Sequence, residues 1–354
     1  MNLKTNSKIP LVFLYILILS SWVQASPFRS YGNEHLDLTG GPGGSVFGQL
    51  WGLYHSGSDN VRFNPLELKT DFDHNLFLFH SILYNQLLSA SSGAYTFPVF
   101  SDKRAGFMIS RVSVDHIPDT RSALLDWGLD GIPGTGDEGE GNGILDPGEH
   151  LNYDEVSYHN SGITSLSLGT ELQDIYGFRT GLTVNGIYMN LIAENGFGLS
   201  FDLHAYRSGK HFKSIYAVRQ LPFAVTAFTD GSVQMFTPHF EASWVYTLGL
   251  GSFSFMPGMT ARFLPGYERN EGFNLGKAGN MWLRPAVLLD YHSNLRIGTS
   301  YDERNSLSVF AQLILKPLTL EYAFRMHSHT ILGNSHLVAI SFNPAFLLEE
   351  SSEF

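Results

Sequence analysis

Beyond residue 70, apolar and polar residues alternate with a period of two along most of the chain. From Phe197 to Ala205 the odd positions are Phe197, Leu199, Phe201, Leu203 and Ala205, and the even positions are Gly198, Ser200, Asp202 and His204. The same rhythm sets Tyr176, Phe178, Leu182, Val184 and Tyr188 against Arg179, Gly181, Thr183 and Asn185. Phe240, Ala242, Trp244, Tyr246 and Leu248 oppose Glu241, Ser243 and Thr247, and Leu295, Ile297 and Tyr301 oppose Arg296, Gly298, Ser300 and Asp302. Leu318, Leu320, Tyr322, Phe324 and Met326 oppose Thr319, Glu321, Arg325 and His327. Period two gives each strand one apolar and one polar face. A soluble sandwich would carry the same pattern with its apolar faces inward. Lipid is favoured because the segments run to about ten residues, as a tilted span requires. Charge also recurs on the polar face, which a wet or plugged lumen tolerates.

The alternation predicts strands near 72–80, 93–100, 105–115, 161–170, 176–189, 197–206, 212–220, 237–249, 252–263, 280–291, 294–301, 306–316, 318–327 and 335–345. From the fourth strand on, the connections 171–175, 207–211, 250–251, 292–293 and 316–317 are short. Those between them, 190–196, 221–236, 264–279 and 328–334, are longer, with 302–305 the exception. Short periplasmic turns alternate with longer outer loops in this way in bacterial outer-membrane barrels. The expected fold is all-β: a transmembrane antiparallel β-barrel of about 14 strands over 71–345, with an outer-loop insertion at 116–160 and a tail at 346–354.

The first residues supply a route to that membrane. Lys4 and Lys8 precede the apolar run Leu11–Leu19, and Val23-Gln24-Ala25 is a small-x-small cleavage site, so 1–25 reads as a secretory signal. Cleavage after Ala25 leaves 329 residues. No cysteine follows, which excludes a lipid-anchored lipoprotein, and a closed barrel needs no disulfide staples. The 27 Phe and 16 Tyr suit strands and aromatic girdles. The net charge of −11 is local: residues 126–155 hold nine acids and no Lys or Arg, and the rest of the chain carries −2. No basic patch points to nucleic acid.

Residues 26–70 do not alternate. Thr39-Gly40-Gly41-Pro42-Gly43-Gly44 is glycine-rich, but no Gly-Lys-Ser/Thr follows, so a phosphate loop is not supported. The segment reads as a plug, because a fourteen-stranded barrel is wider than its own side chains can fill. Three motifs carry a family resemblance: the glycine-rich segment leading to Asn64-Pro65, Tyr216-Ala217-Val218-Arg219-Gln220-Leu221, and Glu321-Tyr322-Ala323-Phe324-Arg325 followed by Leu332-Gly333-Asn334-Ser335-His336. Through them the chain resembles the PorV/PorQ family, whose barrels look like the FadL fatty-acid transporters. Leu66 stands where that family has Ala or Gly. The resemblance implies a FadL-like barrel with an N-terminal hatch. It implies either a type IX-like secretion or assembly role with partner or cargo proteins at the outer face, or passage of hydrophobic solutes.

The acidic insertion holds two abutting twelve-residue units, 126–137 and 138–149. Each has an acid at position 1, Asp or Asn at 5, Gly at 6, Ile at 7, Gly at 11 and an acid at 12. These are oxygen-ligand positions of a calcium loop, with the glycine making the sharp turn. The candidate ligands are Asp126, Asp130, Asp137, Glu138, Glu140, Asn142, Ile144 (through its carbonyl), Asp146 and Glu149. The units leave no room for flanking helices, so they look like the calcium-binding aspartate repeats of thrombospondin and dockerin type. His327 and His329, with His336 nearby, read as a solvated outer turn. Asp202, His204, Glu241, Arg262, Arg284, Arg296, Glu321 and Arg325 are expected in the lumen as an ionic network holding the plug. No Gly-x-Ser-x-Gly or similar nucleophile motif suggests an enzyme. The expected setting is the outer membrane, in contact with its lipid.

Overall fold

The polar side chains of the barrel strands are buried and the large apolar ones are bare. On the strand Asn195–Ser208, Leu199 and Leu203 are 49% and 43% exposed, whereas Ser200, Asp202 and His204 are buried. A soluble protein with that pattern would be inside out. A barrel with its apolar face in lipid satisfies it, because every backbone group pairs between strands and the polar face turns inward.

The computed structural model describes residues 28–29, 34–68, 74–100, 103–192, 194–266, 273–302, 305–328 and 333–344. The signal expected at 1–25 and the tail at 346–354 lie outside them, as does His329. Fourteen strands form the wall: β1 Asn75–Leu83, β2 Leu88–Phe100, β3 Lys103–Asp119, β4 Ser157–Glu171, β5 Arg179–Asn190, β6 Asn195–Ser208, β7 Phe212–Phe228, β8 His239–Tyr246, β9 Phe253–Pro265, β10 Gly279–Tyr291, β11 Leu295–Tyr301, β12 Leu307–Leu315, β13 Leu318–Met326 and β14 Asn334–Phe342. Each pairs antiparallel with its neighbours in sequence, and β1 closes on β14 from Leu76↔Phe342 to Ile82↔His336. The result is a closed antiparallel transmembrane barrel of outer-membrane type.

Several strands run past the expected bounds. β2 starts at Leu88 because its faces carry small residues, Ser89, Ala90, Ser91 and Ser92, which alternate without an apolar signal. β3 and β4 continue to Asp119 and from Ser157, so the insertion is shorter than 116–160. Tyr176 and Phe178 belong to a turn before β5, not to the strand; Tyr176 has φ 51°. Short turns lie at one end of the barrel (209–211, 292–294 and 316–317), and the loops 120–156 and 229–238 lie at the other. Outward aromatic side chains gather near both rims. Phe253 stacks against Tyr291 near the short-turn end (4.7 Å between centroids) and Tyr188 against Phe197 near the loop end (5.0 Å). Such belts mark the two lipid–water interfaces.

Residues 34–68 occupy the lumen. They form turns of 3-10 helix and two short helices, α1 Gly41–Phe47 and α2 Trp51–Tyr54, all of whose residues are buried. The glycine run is a packing feature: a Cβ on Gly43 would meet the Trp51 ring at 2.2 Å, and one on Gly44 the Phe63 ring at 2.3 Å. Asn64 closes the segment by donating from Nδ2 to the Gly52 carbonyl (2.7 Å). Leu66, the departure from the family pattern, is buried beside it.

Candidate functional site

The plug and the wall meet through two kinds of contact, one apolar and one ionic. The apolar part is a cluster of Phe47, Trp51 and Tyr54 from the plug against Phe310 of β12, with centroids 4.9–5.8 Å apart. Val46, Leu50 and Leu53 of the plug and Leu288 of β10 extend it. Burying this surface favours the seated plug at roughly 25 cal/mol per Å² of apolar area.

Strands around the ring also reach inward to the plug backbone. Ser92 of β2 donates to the Thr39 carbonyl (2.8 Å), Thr183 of β5 to Val61 (3.0 Å), and Ser300 of β11 to Val46 (2.6 Å). Arg325 of β13 donates to the Ser45 carbonyl. A buried loop satisfies its carbonyls only through such partners.

The ionic part lies on the β6–β9 side. Arg219 of β7 donates through Nε to Glu241 Oε2 (2.6 Å), faces Asp202 (3.4 Å), and through Nη1 donates to the Arg62 carbonyl of the plug (3.1 Å). Arg262 of β9 donates to the other Glu241 oxygen and pairs with Asp37 of the plug (2.9 Å). Burial would push the Asp37 carboxyl up, but the guanidinium groups of Arg262, Arg219 and Arg62 together outweigh it and hold the group well below the usual carboxylate range. Burial lowers the Arg62 guanidinium to about 10, which still leaves it charged at neutral pH. Asp202, Glu241, Arg262 and Arg325 thus sit in the lumen as expected. Arg219, Asp37 and Arg62 were not anticipated. Arg219 lies in a motif singled out for family likeness, and Asp37 and Arg62 lie in a segment without periodicity.

The wall is interrupted beside this network. On the β6 side of β7 the register slips between Val218 and Leu221 and again between Leu221 and Val225. On the β8 side the ladder stops at Arg219↔His239 and resumes with a short return segment, Val233–Phe236, at Ala224. Gln220 has φ 64°, and its backbone N–H goes to Asp202 Oδ1 (2.9 Å) rather than to a neighbouring strand. The return segment offers an edge, and Phe28–Arg29 pairs with it in parallel.

The acidic loop is compact, and its two units exchange contacts. Asp126 accepts the backbone N–H groups of Gly141 and Gly143 in the second unit (both 2.7 Å). Glu140 accepts those of Gly134 and Gly136 in the first. Glu149 takes N–H groups from Gly128 and Asp146 (both 2.8 Å), and Asp137 takes one from Asp130 (2.8 Å). Asn142 bonds Asp146 (2.7 Å) and accepts from the Ile144 N–H (2.6 Å). The Glu138 carbonyl accepts from Leu129 (3.2 Å). Gly131 and Gly143, the sixth position of each unit, have φ 67° and 75°, the turn conformation anticipated there. The Gly143 N–H holds Asp126 below the ordinary carboxylate value against partial desolvation, with help from Gly141. Asp137 Oδ1 is buried with no hydrogen bond among the described residues, so the loop retains one unsatisfied acceptor where a cation would be favoured. Three carboxylates do not converge in this loop among the described residues. The His, Asp and Glu side chains that do converge are His55, Asp59 and Glu321, in the lumen.

No family model matches the chain, and no curated protein matches it. Solved barrels are similar in outline. The toluene transporter TbuX of Ralstonia pickettii is 10% identical, with 81% of this chain and 94% of that chain covered and a TM-score of 0.44. A deletion mutant of the monoaromatic hydrocarbon channel TodX is 9% identical over 90% of this chain and 99% of that one, with a TM-score of 0.42. The outer membrane protein Omp33 of Acinetobacter baumannii is 9% identical over 77% and 98%, with a TM-score of 0.38.

Proposed function

We propose that this protein is a plugged outer-membrane channel for small apolar solutes. The carrying observation is what fills the lumen. Where an aqueous porin keeps an open polar interior, here the plug sets Phe47, Trp51 and Tyr54 against Phe310 of the wall in a buried aromatic cluster. The interrupted ladder at 220–223 lies in the wall beside the plug and offers a place for a solute to leave sideways into lipid. The plug is tied by side chains that can release it without unfolding the wall. Two measurements test this. Cells carrying the barrel should take up labelled toluene faster than cells without it, and deleting 34–68 should raise single-channel conductance in a planar bilayer. Uptake equal to that of the barrel-free cells would overturn the transport reading. A large conductance in the intact protein would overturn the plug.

A second role is supported by the loop at 120–156. Its tip exposes Leu129, Ile132, Ile144 and Leu145 on a chain closed by its own carboxylates. That surface suits a protein partner at the outer face, as the PorV/PorQ resemblance implies. We also propose that calcium orders this loop, with Asp126, Asp130, Asp137, Glu138, Glu140, Asn142, Asp146 and Glu149 as donors and the Ile144 carbonyl among them. The unsatisfied Asp137 oxygen supports the fit, and hard divalent cations take such oxygen donors.

A further inference from the structure

The second tie between plug and wall lies in the half of the lumen nearer the short turns. His55 and Asp59 project from the plug segment that follows α2, and Glu321 projects from β13. One ligand atom from each lies within 4.8 Å of the other two. His55 Nε2 and Asp59 Oδ1 are 3.5 Å apart. In a tetrahedral site with bonds of 2.0–2.1 Å, neighbouring donors stand about 3.3 Å apart. The separation is long for a hydrogen bond and close to that of two ligands on one ion.

The remaining valences are already fixed. Trp51 Nε1 donates to Asp59 Oδ2, which leaves Oδ1 facing the site. Gln312 of β12 donates to Glu321 Oε1 (2.8 Å). Glu321 is 6% exposed, and its Oε2 is buried with no hydrogen bond among the described residues. A protonated Oε2 could share its proton with a neighbouring acceptor such as Asp59 Oδ1 or His55 Nε2, each with a ligand atom within 4.8 Å. An ionised Oε2 needs a cation. Arg296 lies nearby but directs its bonds elsewhere: its Nε to Asp290 (2.8 Å) and its Nη1 to Gln312 Oε1 (3.1 Å) and His55 Nδ1 (3.3 Å). The Trp51 ring stacks on His55 at 4.9 Å and holds the imidazole in place. Ligation through Nε2 puts the imidazole proton on Nδ1, so Arg296 gives up its contact with His55 and keeps its bond to Gln312.

We propose that His55, Asp59 and Glu321 form a binding site for a divalent transition-metal ion of the zinc class, which fastens the plug to the wall. One nitrogen and two carboxylate oxygens form a donor set such ions accept, with the fourth position left to water. Two carboxylates brought together in a buried site repel one another, and a dication removes that repulsion. Because two ligands belong to the plug and one to β13, the ion would resist plug release directly.

The test uses the full protein refolded in detergent after chelation, and it does not depend on what crosses the barrel. Titration with cobalt(II) should give visible d–d absorption saturating at one tightly held ion, which zinc displaces. Zinc should raise the unfolding temperature of the wild type. Glu321→Gln should lose the absorption and the temperature shift, with affinity falling by more than the roughly 10–100-fold that loss of an outer-shell partner costs. His55→Gln provides the second variant, should the first fold poorly. His336→Gln, on the outer surface, should change neither. Cobalt and zinc binding of the same stoichiometry and affinity in wild type, Glu321→Gln and His55→Gln would overturn the site. Absence of tight binding in the wild type would also overturn it, leaving Asp59 and Glu321 as a pair of buried carboxylates.

Discussion

Replacing Glu241 by Gln separates the energetics of the wall from those of the plug. Glu241 gives one oxygen to Arg219 and the other to Arg262, and all three side chains are largely buried. Glutamine keeps the volume and one acceptor but turns an amide N–H₂ toward a guanidinium. Removing one partner from a buried ion pair costs about 3–5 kcal/mol, because the remaining charge stays buried. Here Arg219 retains Asp202 at 3.4 Å and Arg262 retains Asp37 at 2.9 Å, so the loss should fall near the lower bound, about 3 kcal/mol. Asp37→Asn cuts only the plug's end. Its side chain is 33% exposed and Arg262 keeps Glu241, so it should cost about 1 kcal/mol or less. That is about a fivefold change in an equilibrium constant. Urea unfolding in lipid vesicles, read beside single-channel recordings, distinguishes the two. Glu241→Gln should shift the unfolding midpoint strongly. Asp37→Asn should leave it nearly unchanged while raising the fraction of time spent in the conducting state. Equal destabilisation by both, or a neutral Glu241→Gln, would refute the division of the network into a wall pair and a plug tie.

Leu203→Arg, at a lipid-facing site midway along β6, should destabilise the barrel by about 2–4 kcal/mol in vesicles, while the same change at an exposed loop site such as Leu145 should be near neutral. Calorimetry should detect calcium binding to the wild type, at an affinity of roughly 10⁻⁴–10⁻³ M as in extracellular modules, and weaker binding to Glu149→Gln; equal heats would count against calcium in the loop. Asp126 has a folded pKa below its unfolded one, so its contribution to loop order is complete above the ordinary carboxylate range and is lost as pH falls through the lowered value. Protease cleavage within 120–156 should therefore accelerate in acid and stay constant from pH 6 to 8.

The alternation of single residues was enough to determine the barrel, its strand number and which face meets lipid. Period two is a local property, and the exposed Leu199 and Leu203 beside buried Ser200 and Asp202 are its direct expression. The twelve-residue repeat of the acidic loop was equally local, and Gly131 and Gly143 take positive φ at its sixth positions. Strand ends were less legible where both faces are small, as at Ser89–Ser92, or where a strand continues past a bulge, as β7 does beyond Gln220. What only the tertiary structure decided is what touches what across the lumen. Asp37 meets Arg262, Arg62 meets Arg219, and His55 and Asp59 meet Glu321, at separations of more than 150 residues. The plug has no periodicity of its own, and its conformation is fixed by the wall that surrounds it. Partners of that kind are set by how a closed ring of fourteen strands encloses a chain, which no run of neighbouring residues encodes.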